Sequence, residues 1–215
     1  MKLLAINGSP RKTWNTATIL QSLVEGAREA GAEADLVFLS GLHYRGCASC
    51  FGCKLLNGPS YGRCALKDDL TPVLARAHEA DVLVLGSPFY FSEESSLLRA
   101  CEERLWFQYL RYDTENRTLA PAKKACALVF TMNIPEAALP RFPLKAAVSS
   151  FNKSNMERIF SCPCEVFFCH DTLQFEDYAK YDSRIFDPVH KLEHHRTEFP
   201  KDLERARALG RKLVS

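Results

Sequence analysis

The chain has 215 residues, 47% of them hydrophobic and 25% charged, with a net charge of +2. That is enough for one ample core and is an ordinary balance for a globular domain. Lys and Arg are spread rather than clustered, which argues against nucleic acid or an anionic membrane as partner, and no apolar run approaches the roughly 18 residues of a membrane span.

The chain opens on Leu3-Leu4-Ala5-Ile6, an apolar run bounded by turn residues that reads as a buried strand. Because Met1 leads straight into it rather than into a signal peptide, a cytoplasmic location is expected. The run breaks into Asn7-Gly8-Ser9-Pro10-Arg11-Lys12-Thr13-Trp14-Asn15-Thr16, and Ala17, Ile19, Leu20, Leu23, Val24 and Ala27 then recur at helical spacing. The turn therefore ends at a helix N-terminus, which carries unpaired N–H groups and a partial positive charge. Ser9, Thr13, Asn15 and Thr16 add small donors, and Arg11 adds a fixed cation. A phosphate monoester fits these requirements. The turn is not a Walker loop, because no Gly-Lys-Ser/Thr follows, and not the dinucleotide fingerprint, because Gly8 is the only glycine before Gly26.

Gly31 ends the helix, and Ala34 to Leu39 forms a second strand. A cysteine-rich loop, 41–66, contains Cys47-Ala48-Ser49-Cys50-Phe51-Gly52-Cys53 and then Cys64. The chain has 9 cysteines, an odd number without an export signal, and four crowd this loop, which favours metal ligation or free thiols over disulfides. Three cysteines at two-residue intervals plus a fourth can supply the ligands of a [4Fe–4S] cluster. The same thiolates could hold zinc, although structural zinc sites usually pair two Cys-x2-Cys units. Reduced thiols without metal are the third alternative.

Asp68 and Asp69 precede a capped helix starting at Leu70, with Pro72 tolerated in its first turn. Val82 to Leu85 is a central parallel strand closed by Gly86-Ser87-Pro88-Phe89-Tyr90-Phe91. A helix over Ser95 to Leu110 follows, then a strand over Lys124 to Thr131, a loop over Met132 to Pro140, and a helix over Leu144 to Phe160. Glu165 to Leu173 is the last strand. Residues 174–215 comprise an irregular segment to Thr197 and an amphipathic helix over Asp202 to Val214. Cys101, Cys126, Cys162, Cys164 and Cys169 read as core residues, and His194-His195 as a solvated pair. The aromatic surplus from Leu105 to Tyr112 predicts an interface, hence a homodimer or homotetramer.

Five strands alternating with five helices predict a single α/β domain, 1–215: a three-layer sandwich around a five-stranded parallel sheet in the order 2-1-3-4-5. In such a sheet the ligand lies outside the strand carboxyl ends, where the strand order reverses. The loops meeting there are Ser9 to Thr16 and Ser87 to Ser92. The second adds aromatic surface to the phosphate site, so a phosphorylated planar heterocycle is the ligand that uses both.

Three motifs, Gly8-Ser9-Pro10-Arg11 with Asn15-Thr16, Cys47-x2-Cys50-x2-Cys53 with Cys64 and Asp68-Asp69, and Gly86-Ser87-Pro88-x-Tyr90, together resemble the flavodoxin-like NADPH-dependent FMN reductase family. The likeness covers nearly the whole chain and is closest to the iron–sulfur flavoprotein branch. It implies FMN, with Ser9, Arg11, Asn15 and Thr16 on the phosphate and Thr13 in the same turn. Pro88, Phe89, Tyr90 and Phe91 would lie along the isoalloxazine edge, and Thr131 to Ile134, including Asn133, would form a third flavin-facing loop. The activity implied is an FMN-dependent NAD(P)H oxidoreductase that passes electrons to quinone, nitro, azo or flavin acceptors, with the chemistry carried by the flavin rather than by a protein nucleophile. The alternative is an electron carrier exchanging electrons with ferredoxin through a [4Fe–4S] cluster on Cys47, Cys50, Cys53 and Cys64. Two positions depart from the family pattern. Trp14 stands where such loops commonly have glycine, and Glu93-Glu94 follow the aromatic turn where relatives often have small residues.

Overall fold

The computed structural model describes residues 1–113, 115, 118–141 and 152–215. Its strands are β1 (Lys2–Asn7), β2 (Glu33–Phe38), β3 (Val82–Tyr90), β4 (Glu93–Glu94), β5 (Ala125–Thr131) and β6 (Cys164–Cys169). The described helices are α1 (Asn15–Glu29), α2 (Leu70–Glu79), α3 (Ser96–Phe107), α4 (Ser154–Phe160), α5 (Pro188–Thr197) and α6 (Phe199–Val214). The parallel strands run β2-β1-β3-β5-β6, which is the expected order. A sixth, two-residue strand is an addition: β4 folds back antiparallel on the end of β3.

Both faces of the sheet are covered, which is why its central strands read as unbroken apolar runs. Leu3, Ala5, Val82, Val84, Ala127 and Val129 point to one face, under α1 and α6. Their neighbours Leu4, Ile6, Leu83, Leu85, Leu128 and Phe130 point to the other, under α2, α3 and α4. The layer of α1 and α6 is unusually tight. A Cβ on Gly26 would stand 2.0 Å from the carbonyl oxygen of Arg207, and one on Gly210 would stand 1.9 Å from that of Leu23. Only hydrogen fits at either position, so the two backbones touch. Arg207 reinforces the crossing with ion pairs to Glu25 at 2.6 Å and Glu29 at 2.9 Å.

Several expected boundaries move. β3 does not stop at Leu85 but continues to Tyr90, because Gly86, Ser87 and Pro88 stay in register with Val129, Phe130 and Thr131. β6 ends at Cys169 rather than Leu173. Of the helix expected over Leu144 to Phe160, residues 144–151 lie outside the described residues and α4 forms the remainder. The segment read as irregular contains α5, begun by Asp187, whose carboxylate accepts the N–H groups of Val189 and His190, and by Pro188 at the first helical position.

The two aspartates before α2 divide their work. Asp68 Oδ1 accepts the Leu70 N–H at 3.1 Å, whereas the Asp69 carboxylate accepts the N–H of His43 at 2.8 Å and ties down the cysteine loop. Much of the aromatic surplus from Leu105 to Tyr112 is covered inside the chain. Leu105 and Tyr109 are fully buried, and Phe107 is covered by Phe51 at 5.9 Å and the Lys54 ammonium at 4.8 Å. Tyr112, 74% exposed, is the part of that surplus left at the surface. Cys101, Cys126, Cys162, Cys164 and Cys169 are buried, as expected. Among the described residues no helix is long and apolar enough to cross a membrane.

Candidate functional site

At the carboxyl ends of β1, β3, β5 and β6 the loops enclose a cleft of about 550 Å³, within the range of small-molecule sites. Its polar end is built by the turn from β1 to α1. Gly8 sits where a Cβ would come within 2.6 Å of Leu98 Cβ, so the turn can press against α3 only as glycine. Ser95 locks that contact: it caps α3 by accepting the Leu98 N–H and donates its hydroxyl to the Gly8 carbonyl at 2.6 Å.

Asn7 Oδ1 accepts the Ser9 N–H at 2.8 Å, and Ser9 Oγ accepts the Arg11 N–H at 3.1 Å, so the Ser9 hydroxyl keeps its own proton to donate. The N–H groups of Asn15 and Thr16 precede the intrahelical bond from Thr18 N–H to the Trp14 carbonyl and head the helix toward the cleft. Thr16 and Thr131 share a buried hydroxyl hydrogen bond of 2.8 Å, which ties this turn to the end of β5.

Ten of the eleven sequence-predicted cofactor residues line this cleft: Ser9, Arg11, Asn15, Thr16, Pro88, Phe89, Tyr90, Phe91, Thr131 and Asn133. Thr13 does not. It lines a separate surface groove with Lys12, Thr18 and Gln21. The sequence reading missed the loop after β6, where Thr172, Leu173 and Gln174 close the cleft. The Leu173 carbonyl accepts from Trp14 Nε1 at 3.1 Å and Asn15 Nδ2 at 2.8 Å, and the Gln174 carbonyl accepts from Arg11 at 2.9 Å. The signal available was β6 itself, since every strand's carboxyl end borders such a site. Trp14, out of place in a glycine position, has an extended backbone (φ −116°) that needs no glycine, and its indole forms the cleft's side wall.

The apolar wall is the hairpin between β3 and β4, where Phe91 (φ 51°) and Ser92 (φ 71°) both occupy the left-handed region. The Phe91 side chain stands fully in solvent at the cleft mouth. Beneath the hairpin, Glu94 is buried and Glu102 fully so. Arg99 stands 3.0 Å from Glu94 and 3.8 Å from Glu102, and Asn152 donates to Glu94 at 3.0 Å. Burial first, and the Glu94 charge second, push the Glu102 carboxyl well above the ordinary range.

An acid held up in this way favours folding while protonated, and the benefit is lost as pH rises from the unfolded value toward the folded one. We therefore expect Glu102→Gln to raise denaturation midpoints at pH 8 and to leave them unchanged at pH 4. A midpoint that falls at pH 8 would show that Glu102 is ionised and paired.

Cys47, Cys50, Cys53 and Cys64 line one small cavity together with Arg104, Phe107 and Gln108. The loop is pinned over the C-terminal end of α3: Lys54 Nζ donates to the carbonyls of Phe107, Gln108 and Leu110, and Glu103 accepts the Cys47 N–H at 3.0 Å. The fully buried Arg104 pairs with Asp68 at 2.6 Å and directs Nε at Cys64 Sγ, 3.2 Å away. Burial pushes the Cys53 thiol above its usual range, against the lowering effect of Lys54.

A tetrahedral zinc ion with bonds of about 2.3 Å would draw its sulfurs to about 3.8 Å from one another. Among the described residues only Asp171, His190 and His194 bring three ligand atoms within 4.8 Å, so the four thiols stand wider than one zinc ion requires. The free cavity between them is about 20 Å³, close to the volume of one water.

The first 131 residues match the family model for NADPH-dependent FMN reductase. An iron–sulfur flavoprotein of Archaeoglobus fulgidus is 35% identical over 122 residues, which are 56% of this chain and 57% of that protein. One from Methanocaldococcus jannaschii is 33% identical over 104 residues, 48% of this chain and 51% of that protein. The chain thus spans about half the length of the curated relatives it matches. Among solved structures, the NAD(P)H:quinone oxidoreductase from Methanothermobacter marburgensis superposes with a TM-score of 0.69 at 16% identity, covering 99% of this chain and 98% of its own, a likeness of fold. With the family model matching more than half of its length, in the segment that builds the polar turn and the aromatic hairpin, the chain belongs to the NADPH-dependent FMN reductase family.

Proposed function

We propose that the cleft holds FMN and that the protein is an NAD(P)H-dependent oxidoreductase. The observation that carries this reading is the meeting, at the strand carboxyl ends, of an anion cradle and an apolar wall in one cleft sized for a phosphorylated ring system. The Ser9 hydroxyl, the Arg11 guanidinium and the first-turn amides at Asn15 and Thr16 would take the phosphate. Pro88 to Phe91 would flank the rings, and the Thr131 to Ile134 loop would face them. When bound, FMN accepts hydride from a nicotinamide and releases electrons to an acceptor; quinone, nitro, azo and flavin compounds are the acceptor classes we propose. The chain's own part is to bind, orient and screen the cofactor. Phe91, exposed at the cleft mouth, is the apolar surface that a neighbouring subunit of a homodimer or homotetramer would cover.

The test is direct. Purified protein should take up FMN one to one at micromolar concentration and turn yellow, and anaerobic NADPH or NADH should bleach that colour. Protein that stays colourless in excess FMN would overturn the reading. A bound flavin that neither nicotinamide reduces would overturn the choice of donor and leave FMN standing.

A second reading is favoured by the cysteine cavity and by relatives named iron–sulfur flavoproteins. In it Cys47, Cys50, Cys53 and Cys64 hold a [4Fe–4S] cluster, and the protein exchanges electrons with ferredoxin. The donor set fits, and the wide separation of the thiols suits a multi-iron cluster better than a single ion. The cavity must widen to admit it, and Cys50, exposed at the rim, has the freedom to move. Anaerobic reconstitution should yield about four iron atoms per chain, and protein that remains free of iron would exclude this reading.

A further inference from the structure

One cluster of ligating side chains lies outside both sites. Asp171 follows β6 with its backbone in the left-handed region (φ 53°), an uncommon conformation for a residue other than glycine. That turn buries the carboxylate to 4% exposure beneath α5. His190 and His194 stand one helical turn apart on α5, and both imidazoles converge on the same oxygen, Asp171 Oδ2: Nε2 of His190 at 2.7 Å and Nδ1 of His194 at 3.7 Å. The other oxygen, Oδ1, accepts the buried ammonium of Lys191, which also donates to the Asn133 carbonyl at 2.6 Å.

We propose that Asp171, His190 and His194 form a binding site for a divalent transition-metal ion of the zinc type, with its remaining position open to water. Two imidazoles and one carboxylate are the donor types such an ion takes, and three protein ligands leave it an open position. Bonds of about 2.1 Å in tetrahedral geometry space the ligand atoms at about 3.4 Å, a value bracketed by the two measured separations. The carboxylate is oriented from behind by Lys191, as ligating carboxylates generally are by their neighbours. Access is open: the His190 side chain is 56% exposed.

An ion pair of His190 with Asp171 would account for the shorter contact alone. It leaves unexplained why His194 turns a ring nitrogen to the same oxygen from beyond hydrogen-bond distance. His194 thus pairs in space with His190, and His195, its expected companion, instead stacks on Phe199 at 4.8 Å. The ammonium of Lys191 opposes an incoming cation, so affinity rests on the imidazoles. An ion here would fasten α5 to the loop that carries Thr172, Leu173 and Gln174 over the cleft.

The experiment is a calorimetric titration of chelator-stripped, full-length protein with Zn²⁺, in a Cys47→Ser/Cys50→Ser background that disables the cysteine loop. One equivalent should bind, and His190→Gln and His194→Gln should each weaken binding at least about tenfold. Neither substitution strands a buried charge, whereas changing Asp171 would leave Lys191 unpaired. In the wild-type chain, Co²⁺ should give an absorption component without thiolate charge transfer that disappears in His190→Gln. Absence of zinc uptake in the cysteine-substituted protein, or unchanged affinity in both histidine variants, would overturn the proposal.

Discussion

Arg104→Met should cost about 3 kcal/mol of folding stability, the low end of the penalty for removing one partner of a buried ion pair, because the Asp68 side chain keeps 19% exposure. Urea midpoints should accordingly fall by about 1–2 M. The side chain is fully buried, paired with Asp68 at 2.6 Å, and within hydrogen-bond distance of the carbonyls of Arg45 and Leu66 and of Cys64 Sγ. Methionine fills much of the volume but takes away the donor to Asp68 Oδ2 and to the Arg45 carbonyl, and leaves the Leu66 carbonyl only Thr71 Oγ1. Burial raises the Asp68 carboxyl, and hydrogen bonding from Arg104 reverses that and brings it below the ordinary range. The stability this pair provides is therefore present above the unfolded carboxylate value and fades as pH falls through the folded one. Asp68→Asn combined with Arg104→Met should cost less than the sum of the two single changes, because the second removes a group that the first has already orphaned. A midpoint within 0.3 M of wild type would show that the loop over α3 does not depend on this arginine.

Arg11→Glu should weaken FMN binding by at least about thirtyfold, whereas Thr13→Ala should leave it within about twofold. The two residues are neighbours in a turn where both read as phosphate donors, but only Arg11 faces the cleft. Reversing a charge near a phosphate is worth about 2 kcal/mol once solvent screening at an exposed site is allowed for. The Arg11 substitution touches no core contact, so thermal midpoints of the flavin-free protein should stay near wild type while the fluorescence-quenching titration shifts. Equal losses in both variants would mean that Thr13 reaches the phosphate as Arg11 does, and no loss in either would mean that the turn binds through its backbone alone.

The parts of the molecule that local patterning controls were legible in the sequence. Leu3 to Ile6 could only be a strand buried on both faces, and the helical period from Ala17 to Ala27 forced the turn between them to open on a helix N-terminus. Strand alternation with helices then dictated which loops meet. The direction of Thr13 was not legible, because no periodicity operates inside a tight turn. Helix α5 was hidden because its residues are polar on nearly every side, and its start was marked only by Asp187-Pro188. The cover over Phe107 was not legible for a nonlocal reason: Phe51 and Lys54, more than fifty residues upstream, fold back onto it. The convergence of His190 and His194 on Asp171 depends on the same kind of long-range return.

The contact of α1 with α6 has no side-chain cushion at Gly26 or Gly210, and main chain bears directly on main chain there. Side chains can re-rotate to absorb a small displacement, but two touching backbones cannot. The last helix therefore works as a keel for the first, fixing how far the turn after β1 reaches toward the cleft. Residues 199–214 lie beyond the segment that matches the family model, yet a methyl group added at position 210 would press on the α1 backbone at Leu23 and Ala27. If the cleft holds FMN as proposed, divergence in this distal stretch would retune cofactor affinity without altering a single residue that lines the cleft.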